Sequence, residues 1–78
     1  MLADKYIQRF VGREPERLSL QDRKALLGKW IAMEVYTPAT LPLRRIEAVG
    51  DSVVECIGQI RKRGLDTSTF EFSQWRSV

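Results

Sequence analysis

The spacing of apolar residues along the chain changes from a helical period to an alternating one near residue 30. Upstream of this point, apolar residues recur at helical spacing over residues 2–11 and again after Ser19. The Ser19 hydroxyl can cap the first turn of a helix, and a glycine follows each apolar pattern where a helix is expected to end. Residues 1–28 are therefore predicted to form a helical N-terminal segment.

Two strands are predicted between residues 30 and 49. The first begins at Trp30, where the period becomes two, and the second covers roughly residues 43–49. In the second strand the apolar residues Leu43 and Ile46 differ in parity, which suggests a β-bulge or a late start. Two prolines bracket the connection, and they are expected in the turn or at its edges because proline cannot donate a ladder hydrogen bond.

A third helix and a third strand follow. Ser52 can serve as the N-cap of the helix, with Glu55 completing a capping box, and Gly64 is the expected left-handed stop. One side of this helix is apolar and carries Val53, Cys56, Ile57 and Ile60. The last strand has Phe70 and Phe72 on a common face.

These elements predict an α+β protein in a single domain, residues 1–78. The helical segment 1–28 is followed by a β-β-α-β unit over residues 29–75, whose small three-stranded sheet has helices packed on it. A strand–helix–strand crossover makes the second and third strands run in the same direction. The third strand can therefore lie beside the first, in the order 2-1-3, or beside the second in a mixed sheet. We prefer 2-1-3, because the first strand is the most apolar and belongs in the centre.

The composition excludes several kinds of site. The 78 residues include one cysteine and no histidine, so an intrachain disulfide and a Cys/His zinc site are both impossible within one chain. The absence of histidine also removes the commonest general base. Cys56 lies on the apolar side of its helix, where a buried thiol is the favoured interpretation over a nucleophile. We expect no catalytic residues, no metal, no cofactor and no enzymatic activity.

Thirteen basic residues against ten acidic ones give a net charge of +3. Five basic residues stand in two clusters that are candidates for contacts with an anion or a nucleic acid: Arg44, Arg45, Arg61, Lys62 and Arg63. The favoured alternative for the second cluster is that it complements the negative end of the helix dipole.

Three aromatic residues are candidates for an interface: Trp30, Tyr36 and Trp75. Most aromatic residues of so small a domain are expected in the core. Trp30 and Tyr36, however, share the strand face opposite Ile31, Met33 and Val35, so one side of the sheet has apolar surface that a single helix layer does not cover. An uncovered apolar patch of this kind is typical of an interface.

The sequence also bears on location. No apolar run approaches the length of about 18–20 residues that crosses a bilayer. Charged residues interrupt the first ten positions, unlike the apolar region of a signal peptide. We therefore expect a cytoplasmic protein that makes no membrane contact.

Several junction motifs bear a resemblance to a known group. They are the Gly-Lys-Trp entry to the first strand (28–30), the Gly-Asp-Ser helix start (50–52) with Glu55, and Gly-Leu-Asp (64–66) before the last strand. With these motifs the chain resembles a group of small prokaryotic domains of unknown function, and it is similar to certain short cyanobacterial proteins. The resemblance covers about 45 residues and departs at residues 37–42, where that group has a tight turn. It implies a bacterial origin but no activity.

The sequence thus favours a non-enzymatic module that self-associates or binds another protein through a sheet edge or an exposed aromatic surface. A homo-oligomer is expected. The alternative is a weak nucleic-acid-binding domain that uses the basic clusters.

Overall fold

The structure, a computed structural model, describes residues 2–35 and 44–76. These described residues form three α-helices, three β-strands and single turns of 3₁₀-helix at Pro15–Arg17 and Thr67–Thr69. In chain order the main elements are α1 (Asp4–Phe10), α2 (Leu20–Leu26), β1 (Trp30–Glu34), β2 (Ile46–Gly50), α3 (Val53–Lys62) and β3 (Phe70–Gln74).

The three strands form one antiparallel sheet in the order β2-β1-β3. This confirms the α+β class, the N-terminal helices and the predicted strand order. The pairing of β1 with β2 shifts register between Ala32 and Met33, because Ala32 lies opposite Ala48 and Met33 lies opposite Ile46. The extra residue is Glu47, and this bulge allows Ile46 and Val49 to face the same side of the sheet despite their different parity.

Helices cover both faces of the sheet. On one face, α1 and α2 bury a cluster that comprises Phe10, Leu18, Leu26, Ile31, Ile46 and Val49. On the other face, α3 buries a second cluster that comprises Ala32, Ala48, Cys56, Ile60 and Phe70. The short β2–α3–β3 crossover places α3 on one face only, so the N-terminal helices supply the layer that the opposite face requires.

The helix ends follow the expected capping chemistry. The amide of Asp22 donates to the Ser19 hydroxyl at 3.1 Å, and the amide of Glu55 donates to the Ser52 hydroxyl at 3.3 Å. The Glu55 carboxylate accepts a hydrogen bond from the amide of Asp51, the residue that precedes the N-cap Ser52. The glycines after α1, α2 and α3 all have positive φ, as expected of left-handed stops.

Candidate functional site

Cys56 is a buried core thiol. This α3 residue has no exposed surface and belongs to the second cluster, between the helix and the sheet. Its thiol donates to the backbone oxygen of Trp30 at 3.4 Å. Burial raises the pKa of Cys56 to about 11. Since the thiolate is the nucleophilic form, a thiol in this environment is poorly suited to attack a substrate.

Residues 2–35 and 44–76 contain no group of three or more acidic or cysteine side chains placed to hold a metal ion. The same residues include no helix that is both long enough and apolar enough to cross a membrane.

Two of the predicted basic contacts are engaged within the fold. The Arg44 guanidinium donates to the backbone oxygen of Glu34 at 3.0 Å and forms an ion pair with Glu71, so it reaches across β1 to β3. The Arg63 guanidinium lies 3.0 Å from the Glu47 carboxylate and also donates to the Glu47 backbone oxygen at 3.1 Å. Both guanidinium groups therefore make contacts that stabilise the sheet, and these contacts leave them less available to a ligand.

The other predicted basic contacts belong to two different elements of the fold. Arg61 and Lys62 are exposed at the end of α3, whereas Arg45 precedes β2 at the sheet edge. The structure instead places Arg45 beside two arginines that sequence reasoning did not select. These are Arg13 and Arg17, from the segment that follows α1.

Together these arginines line an open cleft of about 410 Å³, which we call the arginine cleft and define as Gly12, Arg13, Glu14, Arg17 and Arg45. Backbone pairing builds it. The amide of Gly12 donates to the oxygen of Ile46 at 2.7 Å, and the amide of Ile46 donates to the oxygen of Arg13 at 2.9 Å. These two bonds hold the segment that follows α1 against the start of β2, so they bring Arg13 and Arg45 to the same site.

The charges in the arginine cleft are unbalanced. Glu14 supplies one carboxylate, which lies 2.8 Å from Nε of Arg17. In the part of the chain that the structure describes, the side chains of Arg13 and Arg45 have no hydrogen-bond or ion-pair partner. The guanidinium groups of Arg13 and Arg45 in the cleft are therefore not neutralised by a described carboxylate. The third guanidinium, that of Arg17, is paired with Glu14.

The aromatic interface candidates do not form one patch. Trp30 is half-buried against the second cluster, under α3, whereas Trp75 is half-buried against the first cluster, on the opposite face. The face expected to be uncovered is thus the one on which α3 packs. Tyr36, the third candidate, lies outside the described residues. The Trp75 indole N–H is buried and has no hydrogen-bond partner among the described residues.

The outer edge of β2 is closed by hydrogen bonds. At one end it pairs with the Gly12–Arg13 segment through Ile46. At the other end the side-chain amide of Gln59 donates to the Val49 oxygen at 2.6 Å and accepts from the Val49 amide at 3.2 Å. The helical period places Gln59 off the apolar side of α3, yet its side-chain amide bonds to β2 as the backbone of a neighbouring strand would. An edge closed in this way is poorly suited to pair with another chain.

No described residue pairs with the outer edge of β3. Val35 donates to the oxygen of Thr69 at 2.9 Å, and Trp75 donates to the oxygen of Lys29 at 2.8 Å, so the odd-numbered residues of β3 bond to β1. The N–H groups of Phe72 and Gln74 consequently point away from the sheet. No hydrogen bond from these two groups to a described residue is present. Adjacent backbone donors and acceptors of this kind form a template for strand addition.

Lys29 and Asp51 form an exposed ion pair between the entry to β1 and the end of β2, with Nζ 2.6 Å from the carboxylate. The Lys29 hydrogen bond lowers the pKa of Asp51, and the same bond raises the pKa of Lys29. The pair fixes the Gly-Lys-Trp turn against the Gly-Asp-Ser turn, so two of the motifs behind the family resemblance meet in space.

No family model, no curated protein and no solved structure matches this chain significantly. The resemblance to small prokaryotic domains therefore stays a prediction.

Proposed function

We propose that this chain is a non-enzymatic self-association module that forms a homodimer through its β3 strands. The observation that carries the proposal is the contrast between the two sheet edges. The β2 edge is closed by Gln59 and by the Gly12–Arg13 segment, whereas at the β3 edge the amides of Phe72 and Gln74 have no hydrogen-bond acceptor among residues 2–35 and 44–76. Proteins commonly block edges that must not pair, so an unblocked edge opposite a blocked one is a reasonable docking surface.

A second copy of the chain fits this edge because an antiparallel strand pair is compatible with a two-fold axis. In such a dimer the sheet continues across the axis and the closed β2 edges become its two ends. The assembly stops at two copies. A chain this short also has a small core, for which self-association is a usual source of added stability.

Charge selects the register of the two β3 strands. If Phe72 lies opposite Phe72 of the second copy, then Glu71 lies opposite the neutral Ser73 and an aromatic pair forms on the α3 face. Moving the axis to Glu71 would instead place two carboxylates opposite each other, which is unfavourable. We therefore propose the Phe72-centred register, in which the amide of each Phe72 donates to the oxygen of the other.

Two substitutions of Gln74 test the edge. Gln74→Pro removes an outward N–H and leaves the bonds between β3 and β1 in place, because proline is tolerated at a strand edge. Gln74→Ala is the matched control: it removes the same side-chain contact to the Gly28 oxygen but keeps the N–H. Sedimentation equilibrium should show a dimer for the unmodified chain and Gln74→Ala, and a monomer for Gln74→Pro. A monomeric unmodified chain would overturn the proposal, as would a dimer that Gln74→Pro leaves intact.

A third substitution tests the register. Ser73→Lys places an ammonium opposite Glu71 of the second copy in the Phe72-centred register, so the dimer should tighten at low salt. If the axis lay at Ser73, the same substitution would place two ammonium groups together and weaken the dimer. A weaker dimer of Ser73→Lys therefore contradicts the proposed register.

Nucleic-acid binding through the predicted basic clusters has less support. Arg44 and Arg63 are each bound to a glutamate, and Arg61 and Lys62 lie on a different layer from Arg45. A continuous basic track, which a polyanion backbone requires, is not formed by these five residues.

A further inference from the structure

We propose that the arginine cleft binds a phosphate group, either as the free anion or as an ester on a small molecule. The inference does not depend on the dimer proposed above. The cleft lies at the β2 edge, and the dimer contact would lie at the β3 edge on the other side of β1. A ligand in the cleft and a second copy of the chain can therefore bind at the same time.

The first support is that backbone pairing fixes the positions of Arg13 and Arg45 relative to each other, while their side chains are exposed to solvent. Gly12 has φ of 88°, a conformation that residues with a Cβ rarely adopt, and it turns the chain directly after α1. The turn allows Gly12 and Arg13 to pair with Ile46 through backbone hydrogen bonds of 2.7 and 2.9 Å. The Cα atoms of Arg13 and Arg45 are consequently held on either side of this pairing.

The second support is electrostatic. Three guanidinium groups share one carboxylate, and neither Arg13 nor Arg45 has a side-chain partner among the described residues. Like charges gathered in one cleft repel each other, and an anion bound between them removes that repulsion. Guanidinium groups present planar pairs of N–H donors that match the oxygens of a phosphate, so arginine is well suited to this ligand.

The size and shape of the cleft favour a small molecule over a polymer. Its volume of about 410 Å³ falls within the range of roughly 300–1,000 Å³ of pockets that hold small ligands. Arg61 and Lys62, the exposed basic residues of α3, are not among the residues that line the cleft. Glu14 at the cleft also disfavours additional negative charge beyond a compact group.

Titration of the isotopically labelled chain at low salt tests the site by NMR. The probes are inorganic phosphate, pyrophosphate and adenosine monophosphate, with adenosine as the uncharged control. We expect saturable shifts of the amide signals of residues 12–14, 16, 17 and 45 with the three anions and none with adenosine. Tighter binding of adenosine monophosphate than of phosphate identifies an ester as the ligand, whereas equal binding identifies the free anion; both results support the site.

Variants distinguish the arginine cleft from general charge attraction. The double variant Arg13→Gln/Arg45→Gln should weaken pyrophosphate binding by about tenfold or more, since it removes two charge-assisted contacts. The matched control Arg61→Gln/Lys62→Gln changes the net charge equally and should leave affinity within about twofold. Glu14→Gln removes the competing carboxylate, so it should tighten binding; this gain cannot come from misfolding.

Three results would overturn the site. One is the absence of any saturable shift with pyrophosphate. Another is an equal loss of affinity in the α3 control and the double arginine variant. The third is tighter binding of a single-stranded oligonucleotide that depends on Arg61 and Lys62, which would identify a nucleic-acid surface on α3 instead.

Discussion

Removing the Gln59 side chain should open the β2 edge and destabilise the fold. Gln59 forms two hydrogen bonds to the backbone of Val49, at 2.6 and 3.2 Å, in a partly buried position. An intramolecular hydrogen bond contributes a net of about 0.5–1.5 kcal/mol, so Gln59→Ala should lower the free energy of unfolding by about 1–3 kcal/mol. The small gain in helix propensity from alanine does not offset this loss.

Thermal melts and hydrogen exchange together measure the effect. For a domain of this size, 1 kcal/mol shifts the melting temperature by about 4–8 °C, so Gln59→Ala should melt at least about 4 °C lower. The melts are run at the lowest practicable concentration, where dimerisation contributes least. The Val49 amide should lose its protection against exchange, whereas the Ile46 amide should keep it, since its acceptor is the Arg13 backbone.

Gln59→Glu provides a sharper test through pH. The charged carboxylate can still accept from the Val49 amide, but it cannot donate to the Val49 oxygen and it repels that oxygen. The folded-state pKa of the new carboxyl is therefore raised above its ordinary value of about 4.3, and stability is lost as pH rises through the folded-state pKa. Stability should approach that of the unmodified chain at low pH.

Lys62→Ala is the control on the same helix, because Lys62 is exposed and has no described side-chain partner. It should change the melting temperature little. If Gln59→Ala melts with the unmodified chain and Val49 stays protected, then Gln59 does not close the β2 edge. The contrast between the two edges, on which the proposed dimer depends, would then be lost.

Three further results follow from the structure. Ile60→Ala should lower the free energy of unfolding by about 2–5 kcal/mol because Ile60 is fully buried. Ile57→Ala should lower it less because Ile57 is only partly buried, and urea unfolding measures both variants. Cys56 should react slowly with a thiol reagent at pH 8 in the folded chain and rapidly in denaturant, since burial raises its pKa to about 11. Fast reaction of the folded chain would contradict its burial. The hydrogen bond from Lys29 lowers the pKa of Asp51. The stability that the Lys29–Asp51 ion pair contributes is therefore present above about pH 4 and is lost as pH falls. The difference in melting temperature between the unmodified chain and Asp51→Asn should therefore be present at pH 7 and vanish near pH 2; a difference that persists there would contradict this pair.

The fold could be predicted where it depends on residues within one helical turn or on the apolar content of a whole strand. The 2-1-3 strand order followed from the apolar content of Trp30–Glu34, which belongs in the centre of a sheet. The irregular β2 was predicted from the parity of Ile46, and the structure locates the bulge at Glu47. Caps at Ser19 and Ser52 depend only on residues within one turn, so they too were predictable.

The candidate sites were less predictable because tertiary pairing creates them. Arg13 and Arg17 lie far from Arg45 in sequence, and only the backbone pairing of Gly12 with Ile46 brings them together. No periodicity or short motif marks such a cluster. The edge role of Gln59 was missed for a related reason: a wheel diagram places it off the apolar face and contains no information about the strand beside that helix.

The outward amides of Phe72 and Gln74 test the proposed dimer most directly, because they would donate the hydrogen bonds between the two copies. Hydrogen exchange of these amides can be measured by NMR at several chain concentrations, with the inward Ser73 amide as internal control. The β3 pairing predicts that Phe72 and Gln74 exchange rapidly in dilute solution and become protected as concentration rises, while Ser73 is protected throughout. If sedimentation shows a dimer at a concentration where both outward amides still exchange rapidly, the copies associate through another surface and the central claim is wrong.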